Sequence, residues 1–185
     1  MNKSKMAGCV GMAVCLLLAG TVFAQGKIDN PMYQSWSKFK VGSSATYKMV
    51  SKAAGTTTDM EITYKLLELS PQKAVIELKT VMFVSGQKID TPATKMDYPA
   101  QVDKAGSGGA APKEMGKGED SIEVKGAKLT AKWIKTETNV SGSKTTSTVW
   151  SNDTIPGRTV KSVSVTQGST PSESTMILSD YKVVK

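Results

Sequence analysis

Serine–lysine pairs are the first place to look for a nucleophile in this 185-residue chain. A lysine follows a serine by three residues at Ser35 and Lys38, Ser70 and Lys73, Ser85 and Lys88, and Ser141 and Lys144. In Ser-Lys hydrolases the lysine takes the serine proton so that the oxygen can attack a carbonyl. Here both residues are abundant enough to produce the spacing by chance, and the companion Ser-Asp-Asn and Lys-Thr-Gly motifs are missing.

Histidine is absent from the whole sequence. That removes Ser-His-Asp and Cys-His nucleophile arrangements, the paired histidines of helical metalloproteases, and nearly all zinc and haem sites. The two cysteines, Cys9 and Cys15, fall in an N-terminal segment read below as a leader, which closes the thiol routes.

Two carboxylate pairs are close in sequence, Asp59 with Glu61 and Glu119 with Asp120. Asp59 and Glu61 alternate along a strand with Lys65 on the same side, which describes a solvated outer surface better than a glycosidase pair. The second pair lacks calcium-loop spacing. Gly116-Lys117 fails as a phosphate loop because Ala111 stands where a glycine is needed and Gly118 where a Ser or Thr is needed. The sequence therefore predicts no catalytic residue, no metal ligand set, no cofactor and no enzyme.

What the chain offers instead is softness. Outside the leader, methionines stand at 32, 49, 60, 82, 96, 115 and 176, with Tyr47, Tyr64, Trp133 and Trp150 in strand-like segments. Flexible thioethers repack around varied partners, so a curved sheet lined by methionine and aromatic groups can hold an apolar ligand. Met60, Tyr64, Met82, Trp133 and Trp150 are the candidate lining; an ordinary methionine-containing core is the competing reading.

The N-terminus reads as an export signal. Lys3 and Lys5 precede an uncharged, largely apolar run to Phe23, too short for a bilayer span, and Val22-Phe23-Ala24 suits signal peptidase cleavage after Ala24. Lipid attachment is disfavoured, since Cys15 lacks the small residue before it and Cys9 lacks an apolar region ahead of it. The expected organisation is a signal peptide at 1–24 and one β-rich domain at 25–185, with no cysteine and no transmembrane helix in the mature chain.

Without Lys3 and Lys5, 22 basic residues remain against 16 acidic ones, and all but Arg158 of the basic residues are lysine. Lysine lacks the planar fork that arginine brings to phosphate or guanine, so nucleic acid is not an expected partner. Diffuse positive charge suits solubility, or attraction to an anionic envelope surface.

One short helix is expected from Asn30 to Gly42, with Asn30 as cap, Pro31 at the first helical position and Met32, Trp36 and Phe39 on one face. From Gly42 onward the period is two. Asp59 to Leu66 alternates strictly, so Met60, Ile62, Tyr64 and Leu66 share a face, and Leu66-Leu67 breaks phase at a bulge or strand end. Further strands are expected at 45–52, 74–84, 121–125, 128–137, 145–151, 159–166 and 174–184, joined by turns at Gly55, Gly86, Gly142 and Gly168. A flexible Gly-rich loop is expected at about 104–118. The fold class is mainly β (α+β): a strongly curved antiparallel sheet or unclosed β-barrel meander with one N-terminal helix.

The stretches Val41-Gly42-Ser43-Ser44-Ala45-Thr46-Tyr47, Thr148 to Gly157 with Val149-Trp150-Ser151-Asn152-Asp153, and Ile177-Leu178-Ser179-Asp180-Tyr181 carry a resemblance. In this layout the chain resembles secreted bacterial β-sheet proteins of uncharacterised function, themselves distantly similar to the outer-membrane lipoprotein-sorting carriers. The resemblance implies an unclosed barrel with a helix in its concavity and an enclosed apolar surface for lipid chains. The expected function is an exported, periplasmic or extracellular, non-enzymatic binding module holding an apolar or lipid-like ligand. The alternative is a structural or interaction protein of the cell envelope that uses strand edges and surface lysines to hold an envelope protein.

Overall fold

A computed structural model of the chain describes residues 26–84, 87–103, 112–140 and 142–184. The expected leader, Gly86 and residues 104–111 of the expected loop lie outside these. Strand β1 (Lys27–Asp29) leads into helix α1 (Pro31–Trp36) and pairs with β7 (Gln101–Asp103). The helix starts where expected: the Asn30 side chain accepts from the Met32 amide at 3.0 Å, with Pro31 in the first turn. It ends early, at Trp36, because the chain must turn there for Phe39 to reach the core; the Phe39 amide donates to the Trp36 carbonyl at 3.0 Å.

The large sheet contains β2 (Ser44–Ala53), β3 (Thr56–Leu69), β4 (Lys73–Val84), β5 (Gln87–Asp90), β6 (Thr94–Pro99), β8 (Lys113–Val124), β9 (Ala127–Val140), β10 (Ser143–Ser151), β11 (Thr159–Gln167) and β12 (Ser172–Lys182). Its order is β5-β4-β3-β2-β12-β11-β10-β9-β8, and β6 pairs with the other end of β4. All of these pairings are antiparallel. The β2–β3 and β8–β9 links are two-residue turns, Ala54-Gly55 and Lys125-Gly126, in which both residues have positive φ. That is the turn whose twist matches a hairpin.

The sheet curls without closing. Three strands separate β8 from β12, yet Lys125 in the β8–β9 turn forms an ion pair with Asp180 of β12. The edges, β8 on one side and β5 with β6 on the other, do not pair with each other. Bulges help the bending. The expected phase break is a register shift between Leu66 and Glu68, and others lie at Leu178/Asp180, Trp150/Ser151 and Glu114/Gly116.

The sequence expectation fails most clearly over residues 113–118. They were expected in a flexible loop and instead form the first half of β8, paired residue by residue with β9. Gly116 and Gly118 explain both the misleading composition and the strand. The Trp133 indole lies across β8 at these positions, and a Cβ on Gly118 would come within 2.9 Å of its ring.

Two apolar clusters hold the fold. Trp36 and Phe39 pack with Leu66, Ala74 and Ile76, seating the helix segment on β3 and β4. Ala45, Tyr47, Val160 and Leu178 pack with Ile155 from the β10–β11 loop and with Val124 and Ala131 from the far hairpin. Tyr64 borders both clusters.

Candidate binding face

Residues directly opposite in a sheet share a face, so the register identifies which side chains stand in rows across it. One row runs through Ile134, Val149, Ser162, Met176, Met49, Met60, Met82 and Ile89, on strands β9, β10, β11, β12, β2, β3, β4 and β5 in spatial order. Four methionines therefore lie side by side on four adjacent strands. They are half-buried, whereas Ile134, Val149 and Ile89 at the flanks are exposed at 48%, 40% and 43%.

On one side of this row lies Tyr47, opposite Ile62, and then Tyr64, opposite Ala45. The Tyr47 and Tyr64 rings meet edge to face with centroids 5.8 Å apart, and the Tyr47 hydroxyl donates to the Thr159 carbonyl at 3.0 Å. Burial, and secondarily Tyr64, pushes the Tyr47 pKa well above the ordinary tyrosine value; burial also raises that of Tyr64. Both rings therefore act as neutral lining. On the other side stands a row of hydroxyls: Thr136, Ser147, Ser164, Ser174, Ser51 and Thr58. Ser147 and Ser164 hydrogen-bond to each other at 3.0 Å. The methionine row thus lies between an aromatic, helix-covered zone and an uncharged hydroxyl zone.

The helix contributes to the same face. Met32, Tyr47, Tyr64, Gly157, Thr159 and Met176 line a recess of about 190 Å³ between α1, the sheet and the β10–β11 loop. That loop is held by Asn152, whose side chain donates to the Thr130 carbonyl and accepts from the Thr154 amide, both at 2.8 Å. Ile155 and Pro156 are buried, and the Gly157 amide donates to the Ser35 carbonyl of α1 at 3.2 Å. The Asn-Asp-Thr-Ile-Pro-Gly stretch is thus the clasp that seats the helix. Arg158, in its turn, is paired with Asp153.

The five residues singled out from sequence divide. Met60 and Met82 are direct partners and Tyr64 shares their face. Trp133 and Trp150 are also direct partners, but their row continues through Lys161, Ile177, Lys48 and Glu61 on the opposite face. Trp150 Nε1 donates to Asp120 Oδ2 at 2.7 Å, and Lys161 Nζ lies 4.8 Å from the indole centroid. The Trp150/Ser151 bulge slips the register by one residue. Beyond it, the Trp150 side of the far hairpin turns onto the core cluster, which is why Trp150 also touches that cluster. Met49, Met176 and Met32 belong to the face but stood outside the sequence-based set, because their convergence depends on strand register and on where the helix docks.

That opposite face is charged and apolar together. Val50, Phe83, Val165 and Ile177 are exposed there at 37–40%, among Lys48, Lys52, Lys135 and Lys161. Among the described residues, no group of three or more acidic, histidine or cysteine side chains is placed to hold a metal, and no helix is long and apolar enough to cross a membrane.

No protein-family model and no curated protein matches this chain. Two solved structures are similar in arrangement. One is described as an outer membrane lipoprotein-sorting protein domain from Vibrio parahaemolyticus, with 9% identity, TM-score 0.28, and coverage of 77% of this chain and 85% of that one. The other is a LolA superfamily protein from Nitrosomonas europaea, with 8% identity, TM-score 0.24, and coverage of 85% and 94%. Both are described in the terms of the lipoprotein-sorting group named from the sequence, and similarities this low do not bear on this chain's family or on what it binds.

Proposed function

We propose that the protein is an exported, non-enzymatic binding module that receives an apolar or lipid-like ligand on the helix-bearing face of its curved sheet. The observation that carries this reading is the row from Ile134 to Ile89, apolar at all but Ser162 and left open along the sheet. Methionines in such a row adapt to chains of different shape, and the Tyr47 and Tyr64 rings supply a rigid wall at one side. The hydroxyl row at the other side offers uncharged hydrogen-bonding groups to the polar end of an amphiphile.

Mass spectrometry, first native and then after lipid extraction, tests this on mature protein purified from its own envelope without added detergent. A near-stoichiometric lipid supports the proposal. Protein that carries no lipid and also fails to bind an apolar fluorescent probe overturns it.

The opposite face favours a second reading, an interaction protein of the envelope. Exposed Val50, Phe83, Val165 and Ile177, set among lysines and the carboxylates Asp59, Glu61 and Glu173, suit a partner with a charged rim of both signs around an apolar centre. Envelope association that salt abolishes, and that Phe83→Ser weakens, supports this reading; association indifferent to both refutes it.

A further inference from the structure

We propose that Met32 and the row Met176, Met49, Met60 and Met82 form a thioether site for a soft monovalent cation, Cu(I). This proposal does not depend on the apolar-ligand reading.

Its basis is the convergence of sulfur without competing charge. Met176, Met49 and Met60 are successive cross-strand partners on three neighbouring strands, and Met82 extends them by one strand. Side chains directly opposite in antiparallel pairs have Cβ atoms about 4.5–5.5 Å apart, within the span that two flexible methionine side chains can close around one ion. Met32 reaches the same place from α1, since it lines the 190 Å³ recess together with Met176. Three sulfurs, from α1, β12 and β2, can then approach one ion instead of lying along a single line.

The surroundings select the ion. No charged residue lines that recess, so a hard divalent cation finds no carboxylate there. The methionines' neighbours on this face of β2 and β3 are Tyr47, Ile62, Ser51 and Thr58, so no lysine repels a cation from the row, although lysine is the commonest charged residue in the chain. Thioethers are soft ligands that favour Cu(I), and the Tyr47 and Tyr64 rings beside them add electron-rich faces. Half-burial of the four sheet methionines limits competition by water, while exposed Met32 leaves the site accessible.

Silver(I) nitrate in chloride-free buffer is the air-stable probe, and methionine methyl NMR of the folded mature protein is the readout. At one equivalent, the methyl signals of Met32, Met176 and Met49 are expected to shift together, while exposed Met115 on β8 stays in place. A Met49→Leu, Met176→Leu double variant keeps side-chain volume and apolar character, so its thermal melting should persist while silver affinity drops at least roughly tenfold. Met32→Leu, a change at an exposed helix position, should weaken silver binding without touching the sheet. The proposal is overturned by absent binding, by shifts spread equally to Met115, or by a folded double variant that binds silver as the parent does. A parent protein that binds silver as expected but binds no apolar probe would instead refute the apolar-ligand reading alone.

Discussion

Met49 stands directly opposite Met60 across the β2–β3 pair, and neither has a charged residue beside it on its own face of the sheet. A charge placed there has no partner. Met60→Lys should therefore weaken binding of an apolar fluorescent probe by roughly tenfold or more, from lost apolar contact and the cost of a cation beside the ligand. Met60→Leu should leave it unchanged. Val50→Lys, on the opposite face, is the control; equal losses from both lysine variants would show that the probe does not use the methionine row.

Trp133 and Gly118 make a second close pair. An added Cβ at Gly118 meets the indole at 2.9 Å, whereas one at Gly116 meets it at an ordinary 3.6 Å. Gly118→Ala should displace the ring and cost about 1–3 kcal/mol in the manner of an overpacked site, with a visible change in near-UV circular dichroism. Gly116→Ala should do neither. Identical melting curves and spectra for the two variants would contradict the packing of Trp133 across β8.

Tyr47 makes alkaline stability informative. Below its ordinary value of 10.0 the phenol is protonated whether the chain is folded or unfolded, so its ionisation contributes nothing. Burial raises the folded-state pKa, so above pH 10 the unfolded chain releases the proton first and stability falls as pH rises. Tyr47→Phe gives up the hydrogen bond to the Thr159 carbonyl, costing about 1 kcal/mol at neutral pH. Its loss of stability above pH 10 should nevertheless be shallower than that of the parent. Parallel decline in chemical-denaturation series would exclude Tyr47 as the titrating group.

Leu66 and Asn30 separate core from cap. Leu66 is fully buried against the Trp36 cluster, and Leu66→Ala should cost about 2–5 kcal/mol. Asn30 caps α1 and also donates to the Pro99 carbonyl at 2.8 Å, so Asn30→Ala should cost about 1–2 kcal/mol. The cap variant should also loosen Met32 and its recess. Hydrogen exchange in α1 that is no faster in Asn30→Ala than in the parent would show that this anchor is dispensable.

Local periodicity carried much of the fold. The alternation from Asp59 to Leu66 gave the strand and its inward set, and the Leu66-Leu67 repeat marked a bulge that is present. The first half of β8 was illegible because its glycines make room for Trp133, a residue on another strand, and a glycine-rich stretch seen alone resembles a loop. Short β5, β6 and β7 gave too few residues to show a period. The candidate face was half legible for the same reason. Alternation places Met60 beside Tyr64 along one strand, but whether Met49 or Trp150 joins them is a question of register between strands, decided by turns and by the bulge at Trp150.

The seam between β2 and β12 joins Ser44 to Lys182 and Ala53 to Ser172, making neighbours of segments far apart along the chain. The strands on either side of it are built from hairpins between consecutive segments, which form quickly because little chain entropy opposes them. The seam itself must close a loop of more than a hundred residues, and only then do Met176 and Met49 come to lie side by side. A nascent chain would thus carry its two hairpin ladders separately until the last strand emerged, and Met176 would complete the row of Met49, Met60 and Met82 only in that late joining event.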